Sequence, residues 1–236
     1  MDNSAGSQYL SICAARRVDQ YAINVLGIAG AVLMENAARG CVDLLEKSGI
    51  AGPVVVVCGT GNNGGDGFAI ARHLLVRNYD ATAILIGDPE KLGGDAKANF
   101  ECLRQIAPDQ VGWLSSIDKP ELQQLLSRVV SPKVDWIVDA ILGTGTQGKI
   151  REPRLSVINA INDSPAKVFA VDIPSGLDGD SGESLDATVQ AQITATFVSK
   201  KQGFKNPEAA RFLGKIRVLD IGIPDFVVAN ALDQKD

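Results

Sequence analysis

The chain has 236 residues, 45% hydrophobic and 22% charged, an ordinary globular composition with enough apolar material for a sizeable core. A net charge of −5 argues against nucleic-acid binding, and the absence of any run of 18 or more apolar residues argues against a membrane-spanning helix. A single histidine, and four cysteines with no Cys-x-x-Cys pair, argue against a Ser-His-Asp hydrolase, a multi-histidine metal site and a disulfide framework.

The first fifty residues read as helical. Arg16 to Ile23 is amphipathic, and Leu33, Ala37, Cys41 and Leu45 recur at helical spacing through Val32–Lys47. Pro53–Cys58 is a short β-branched run, the pattern of a strand buried on both faces, followed by glycines and a helix over Phe68–Arg77. Further strands are expected at Thr82–Ile86, Val111–Leu114, Val134–Asp139, Lys167–Asp172, Ile193–Val198 and Lys215–Asp220, with helices at Asp95–Ile106, Glu121–Val130 and Leu155–Asn162. This alternation predicts an α/β fold, a three-layer α/β/α, Rossmann-like, mostly parallel doubly wound sheet. No repeat or linker interrupts it, so the chain reads as one domain over 1–236, with N-terminal helices at 1–50 and a Rossmann-like core at 51–224. The start lacks the pattern of a signal peptide, so the expected location is cytoplasmic, with Cys13, Cys41, Cys58 and Cys102 as buried reduced thiols.

Three segments follow strands, where open α/β sheets bind ligands. Gly59–Gly67 holds five glycines, two asparagines and Asp66, and joins a strand to a helix. Glycine allows positive φ and close ligand approach, and a helix start offers free N–H groups to phosphate. Its spacing is neither the dinucleotide fingerprint nor a P-loop; the structural alternative is a turn with Asp66 as a helix cap. Val138–Lys149 places Asp139 at a strand end before a second glycine-rich loop, and Ala170–Asp178 places Asp172 at a strand end before Pro174-Ser175-Gly176. Either aspartate serves local capping or the chemistry of a shared crevice. His73 reads as a satisfied helix histidine in preference to a ligand contact, Glu35 and Asn36 as facing either the crevice or water, and Lys200 and Lys201 as surface lysines in preference to phosphate contacts.

Taken in order, Gly-x-Gly-Asn-Asn-Gly-Gly-Asp-Gly with Ala71-Arg72-His73-Leu74, Val-Asp-Ala-Ile-x-Gly with Arg151-Glu152-Pro153, and Val-Asp-Ile-Pro-Ser-Gly resemble the NAD(P)H-hydrate epimerase family. Leu33-Met34-Glu35-Asn36-Ala37-Ala38 and Asp220-Ile221-Gly222-Ile223-Pro224 fit too, so the resemblance runs from about Ile12 to Pro224. It implies a Rossmann-like fold, a homodimer, a bound potassium ion, and interconversion of the R and S forms of hydrated NADH or NADPH (NAD(P)HX) at nicotinamide C6. It implies that Asn62, Asn63, Gly64, Gly65 and Asp66 hold substrate, with Asn63 also facing potassium, and that Asp139 and Ser175 complete the cation site. Gly143, Thr144, Gly145, Thr146, Gln147, Gly148 and Lys149 would wrap phosphates or ribose, and Asp172 would lie at the substrate as acid–base residue. Thr60 stands where many members have proline, Gln147 where animal members can carry lysine, and Lys149 is shifted from that lysine by two. Many microbial members are fused to a dehydratase, which this chain would need as a separate partner. Two other readings use the same residues: a non-catalytic binding module on this fold, and an ATP-using transferase, against which the missing phosphate-binding lysine argues.

Overall fold

The computed structural model describes residues 9–114, 119–146 and 148–233. In chain order it runs β1 (Tyr9–Leu10), α1 (Ile12–Asn24), α2 (Gly30–Ser48), β2 (Val54–Cys58), α3 (Asn62–Val76), β3 (Ala81–Ile86), α4 (Gly94–Ile106), β4 (Val111–Leu114) and α5 (Lys119–Val129). It continues with β5 (Trp136–Ala140), α6 (Arg154–Asp163), β6 (Lys167–Val171), β7 (Ile193–Phe197), β8 (Lys200–Lys201), α7 (Ala210–Leu213), β9 (Lys215–Leu219) and α8 (Asp225–Asp233).

The seven expected strands form one sheet in the order β4-β3-β2-β5-β6-β7-β9, and every ladder in it is parallel. The connections reverse direction between β2 and β5, which is where a doubly wound sheet opens its crevice. Side chains alternate along each strand. Val54, Val56 and Cys58 therefore join α2, α3 and α4 in one core layer, while Val55 and Val57 join α5 and α6 in the other. That alternation is why β2 is hydrophobic at every position. A third cluster packs α1 against α8 and the start of α2. The two-residue pair β1–β8, not foreseen from sequence, sets Leu10 beside Lys201 and so pins the start of α1 near the end of β7.

Three expectations need correction. The glycine segment is not a loop up to Phe68, because α3 begins at Asn62. Nor does it use glycine for positive φ, since the positive-φ glycines all lie elsewhere. Four of its five glycines, all but Gly61, serve close packing. A Cβ on Gly64 would sit 1.9 Å from the Gly59 carbonyl oxygen, and one on Gly67 would sit 2.7 Å from both Ala140 Cβ and Cys58 Sγ. The thiol expectation holds for only two residues: all four cysteines are free, but Cys13 and Cys102 are exposed.

Candidate active site

A cleft of about 980 Å³ opens at the carboxyl ends of the central strands, within the size range of small-molecule sites. Asn62, Asn63, Asp66, Gly143, Thr144, Gly145, Thr146, Gly148, Lys149 and Asp172 line it. Gly64 and Gly65 do not: Gly64 faces Gly59, and Gly65 faces Met34 and Ala96 with its amide bonded to the Gly61 carbonyl. Gln147 lies outside the described residues. Asp66 sits within α3 and is not its cap; Gly61 occupies the N-cap position without a side-chain bond, so the first-turn amides have no helical partners and form an anion-favouring end.

Asp172 stands at the end of β6 with φ +65°, and the Ile173 amide bonds back to the Val171 carbonyl across it at 2.8 Å. The neighbouring strand β7 ends the same way, with Val198 at φ +64° and the Ser199 amide bonded to the Phe197 carbonyl at 2.6 Å. Such three-residue turns with positive φ are rare and strained, and a β-branched residue there is a true outlier. Strain of this kind gathers at sites that must aim a side chain. Here it turns Asp172 onto Lys201, whose buried Nζ lies 2.7 Å from Asp172 Oδ1 and 2.9 Å from Thr196 Oγ1. Thr196 Oγ1 donates to the same Asp172 oxygen at 3.3 Å.

Two more carboxylates share this end of the cleft. Burial, followed by the charges of Asp172 and Asp19, pushes the Asp66 carboxyl well above the usual range. The walls of the cleft and the nearby Asp172 raise Asp19 to about 6, with Lys201 opposing, although water reaches Asp19 at the surface. Neither Asp19 nor the role of Lys201 was foreseen. Asp19 left no sequence signal, because an aspartate on an amphipathic helix reads as solvated. Lys201 had one: it follows the end of a buried strand whose neighbour carries Asp172.

Asp139 and Ser175 do not line the cleft. Both are fully buried, with Asp139 Oδ2 accepting from the Ser175 amide at 2.7 Å and Oδ1 accepting from Ser175 Oγ at 2.6 Å. Asp139 also accepts from the Ile141 amide and Ser175 Oγ from the Leu142 amide, so the pair holds two residues that do line the cleft. Burial raises Asp139 to about 6 despite these bonds. Asn63, packed against Gly143, is buried at 9% exposure, yet neither its amide oxygen nor its nitrogen has a partner. Leaving such groups unpaired costs about 1–3 kcal/mol each, so a native side chain of this kind points to a ligand. The described residues hold no group of three or more His, Cys, Asp or Glu suited to a metal.

The raised Asp139 carboxyl makes a pH prediction. Its folded value exceeds the ordinary 3.8, so its stability contribution is full below about pH 4 and is lost as pH rises through about 6. Moving the group that far corresponds to about 3 kcal/mol. In buffer whose only cation is tetramethylammonium, Asp139→Asn should therefore gain about 3 kcal/mol relative to wild type between pH 4 and pH 8 in urea unfolding. A difference that stays constant across that range would show that Asp139 ionises without penalty.

The remaining polar residues of the opening segment are structural. Glu35 binds both Arg72 and His73 Nε2, the latter at 2.8 Å, and Asn36 Nδ2 donates to the Ile221 carbonyl. His73 is thus a satisfied helix histidine, and its pKa is lowered by burial against the opposing pull of Glu35.

The family model for the YjeF-related protein N-terminus matches residues 30–203. A protein of Pirellula staleyi named NAD(P)H-hydrate epimerase is 39% identical over 89% of this chain and 90% of its own length; one of the same name from Rhodopirellula baltica is 36% identical over 89% and 82%. The bifunctional NAD(P)H-hydrate repair enzyme Nnr of Salinibacter ruber is 37% identical over 95% of this chain, which spans only 42% of that protein. Among solved structures, the yeast protein ynu0 superposes with a TM-score of 0.73 at 21% identity, covering 89% of this chain and 87% of its own, a likeness of fold.

Proposed function

From the premise that this chain belongs to the family of YjeF-related protein N-termini, we propose that it is an isomerase that interconverts the R and S forms of NAD(P)HX as cofactor repair. The observation that carries the reading is the Asp172–Lys201 pair, aimed into a cleft large enough for a dinucleotide at the switch point of the sheet. The two epimerase relatives match 82% and 90% of their own length to this chain.

The substrate carbon C6 is a hemiaminal, bonded to the ring nitrogen and a hydroxyl. In one route the hydroxyl takes a proton and leaves as water, pushed by N1, and water returns to either face of the planar iminium and gives a proton back. In the other, the hydroxyl loses its proton as the C6–N1 bond breaks to an aldehyde and N1 gains one, and reclosure on either face reverses both. Each route needs a group that takes a proton and a group that gives one, and no net proton is consumed. Asp172, held by Lys201 and Thr196, is the acceptor. Asp66, whose surroundings favour its protonated form, is the donor.

A potassium ion is part of the proposal. The unpartnered Asn63 amide, the Asp139 carboxyl that burial disfavours as an anion, and the Ser175 hydroxyl would offer the oxygen donors that suit a hard cation. A bound potassium would supply one positive charge there and favour ionised Asp139. A homodimer and a separate dehydratase that removes one epimer are proposed as partners, and the cytoplasm as location. No described helix is long and apolar enough to cross a membrane.

The test is to mix purified protein with separated R-NADHX in potassium buffer and follow the R/S ratio by chromatography. Equilibration well above the buffer blank, slowed when potassium is exchanged for tetramethylammonium, is expected. A rate equal to the blank from folded protein that still binds nucleotide would favour the binding-module reading.

A further inference from the structure

Besides Lys201, four cations line the cleft: Arg16 of α1, Lys149 and Arg151 from the segment before α6, and Arg154, the first residue of α6. Arg16 Nη2 reaches the Thr144 carbonyl, in the segment that leads to Lys149 and Arg151, at 3.5 Å. Among the described residues none of the four forms an ion pair, in a chain whose net charge is −5. Two carboxylates of the same region bind backbone amides: Glu152 accepts from the Ser156 amide at 3.1 Å, and Asp186 from the Ile150 amide at 2.7 Å.

Arg154 differs from the other three. Its Nε is buried and has no hydrogen-bond partner. A guanidinium is always charged and offers five donors in a planar fork that matches the oxygens of a phosphate two at a time. A buried donor left unpaired is unfavourable, and an anion with several acceptor oxygens in the cleft relieves it. The uncapped first turn of α3 favours negative charge at the same cleft.

We propose that Arg154 anchors a phosphate group of the dinucleotide, with Arg16, Lys149 and Arg151 supplying the surrounding positive field. The inference rests on the reading that the cleft takes a nicotinamide dinucleotide. The phosphate is either the diphosphate bridge, common to NADHX and NADPHX, or the 2′-phosphate that only NADPHX carries.

The experiment is calorimetric binding of NAD⁺, NADP⁺ and adenosine to wild type, Arg154→Met and Arg154→Lys, with folding of each checked by circular dichroism. Arg154→Met should weaken NADP⁺ about tenfold or more, the usual scale for a charge-assisted hydrogen bond, and Arg154→Lys should recover part of the loss. An equal loss for NAD⁺ assigns the diphosphate, and a loss confined to NADP⁺ assigns the 2′-phosphate. Unchanged affinity in folded Arg154→Met, an equal loss for adenosine, or no NAD⁺ or NADP⁺ binding by wild type overturns the inference. Wild type that binds dinucleotide but does not epimerise NADHX overturns the catalytic reading instead, and the binding series still decides Arg154.

Discussion

Asp172→Asn should lower the epimerisation rate by about 10²–10⁴-fold, the range that positioned acid–base groups supply. Asparagine is the informative substitution because it tolerates the left-handed backbone that Asp172 adopts at φ +65°, so the turn survives while the ionisable group goes. It leaves Lys201 buried at 4% side-chain exposure without its counter-charge. Breaking one side of such a pair costs about 3–5 kcal/mol, so the variant should also unfold at a lower urea concentration. The double variant Asp172→Asn/Lys201→Met removes the stranded charge as well. It should regain stability over the single variant and remain inactive, which separates loss of chemistry from loss of fold. Folded Asp172→Asn at wild-type rate would remove Asp172 from the proton transfer and leave Asp66 or Asp19 to carry it.

The second large effect is on stability. Gly64→Ala should destabilise the protein by about 3 kcal/mol or more, the upper range for overpacked sites, or prevent soluble expression. The expected direction is opposite to helix propensity, since alanine in a helix is favoured over glycine by about 1 kcal/mol. Geometry decides: the added Cβ would lie 1.9 Å from the Gly59 carbonyl oxygen and 2.7 Å from its carbon, and both are backbone atoms that cannot rotate away. Gly61→Ala, three residues earlier at the N-cap, meets nothing within 4 Å and should change stability by no more than about 0.5 kcal/mol. Equal urea midpoints for the two variants would show that the turn from β2 into α3 yields more than its packing suggests.

Much of the fold was readable in advance because its signals are local. The run Val54–Cys58, short, apolar at every position and rich in β-branched valine, has the pattern of a strand covered on both faces, and the six later strand assignments fall within one or two residues of those observed. The three strand-end segments were readable for the same reason, and two of them deliver Asn63, Asp66 and Asp172 to the cleft. The start of α3 was misplaced because glycine and asparagine carry a strong loop signal. Here tertiary contact overrides it: the glycines of the first two turns are what let the helix lie against β2 and β5. Asp139 was read as a crevice residue from its place near a strand end, yet its register in β5 turns it into the interior, where Ser175 binds it.

What the sequence by itself determined was the architecture and the list of motifs, since hydrophobic period and glycine punctuation act over a few residues. What only the tertiary structure decided was the company each functional group keeps. Lys201 meets Asp172 because β6 and β7 pair in register and both end in strained turns, and Asp19 arrives from a helix more than a hundred residues earlier in the chain. Arg154 brings a buried Nε without a hydrogen-bond partner to the wall of the same cleft. Charge, burial and partnership are properties of neighbours in space, and in a doubly wound sheet the neighbours of a strand end come from distant parts of the chain.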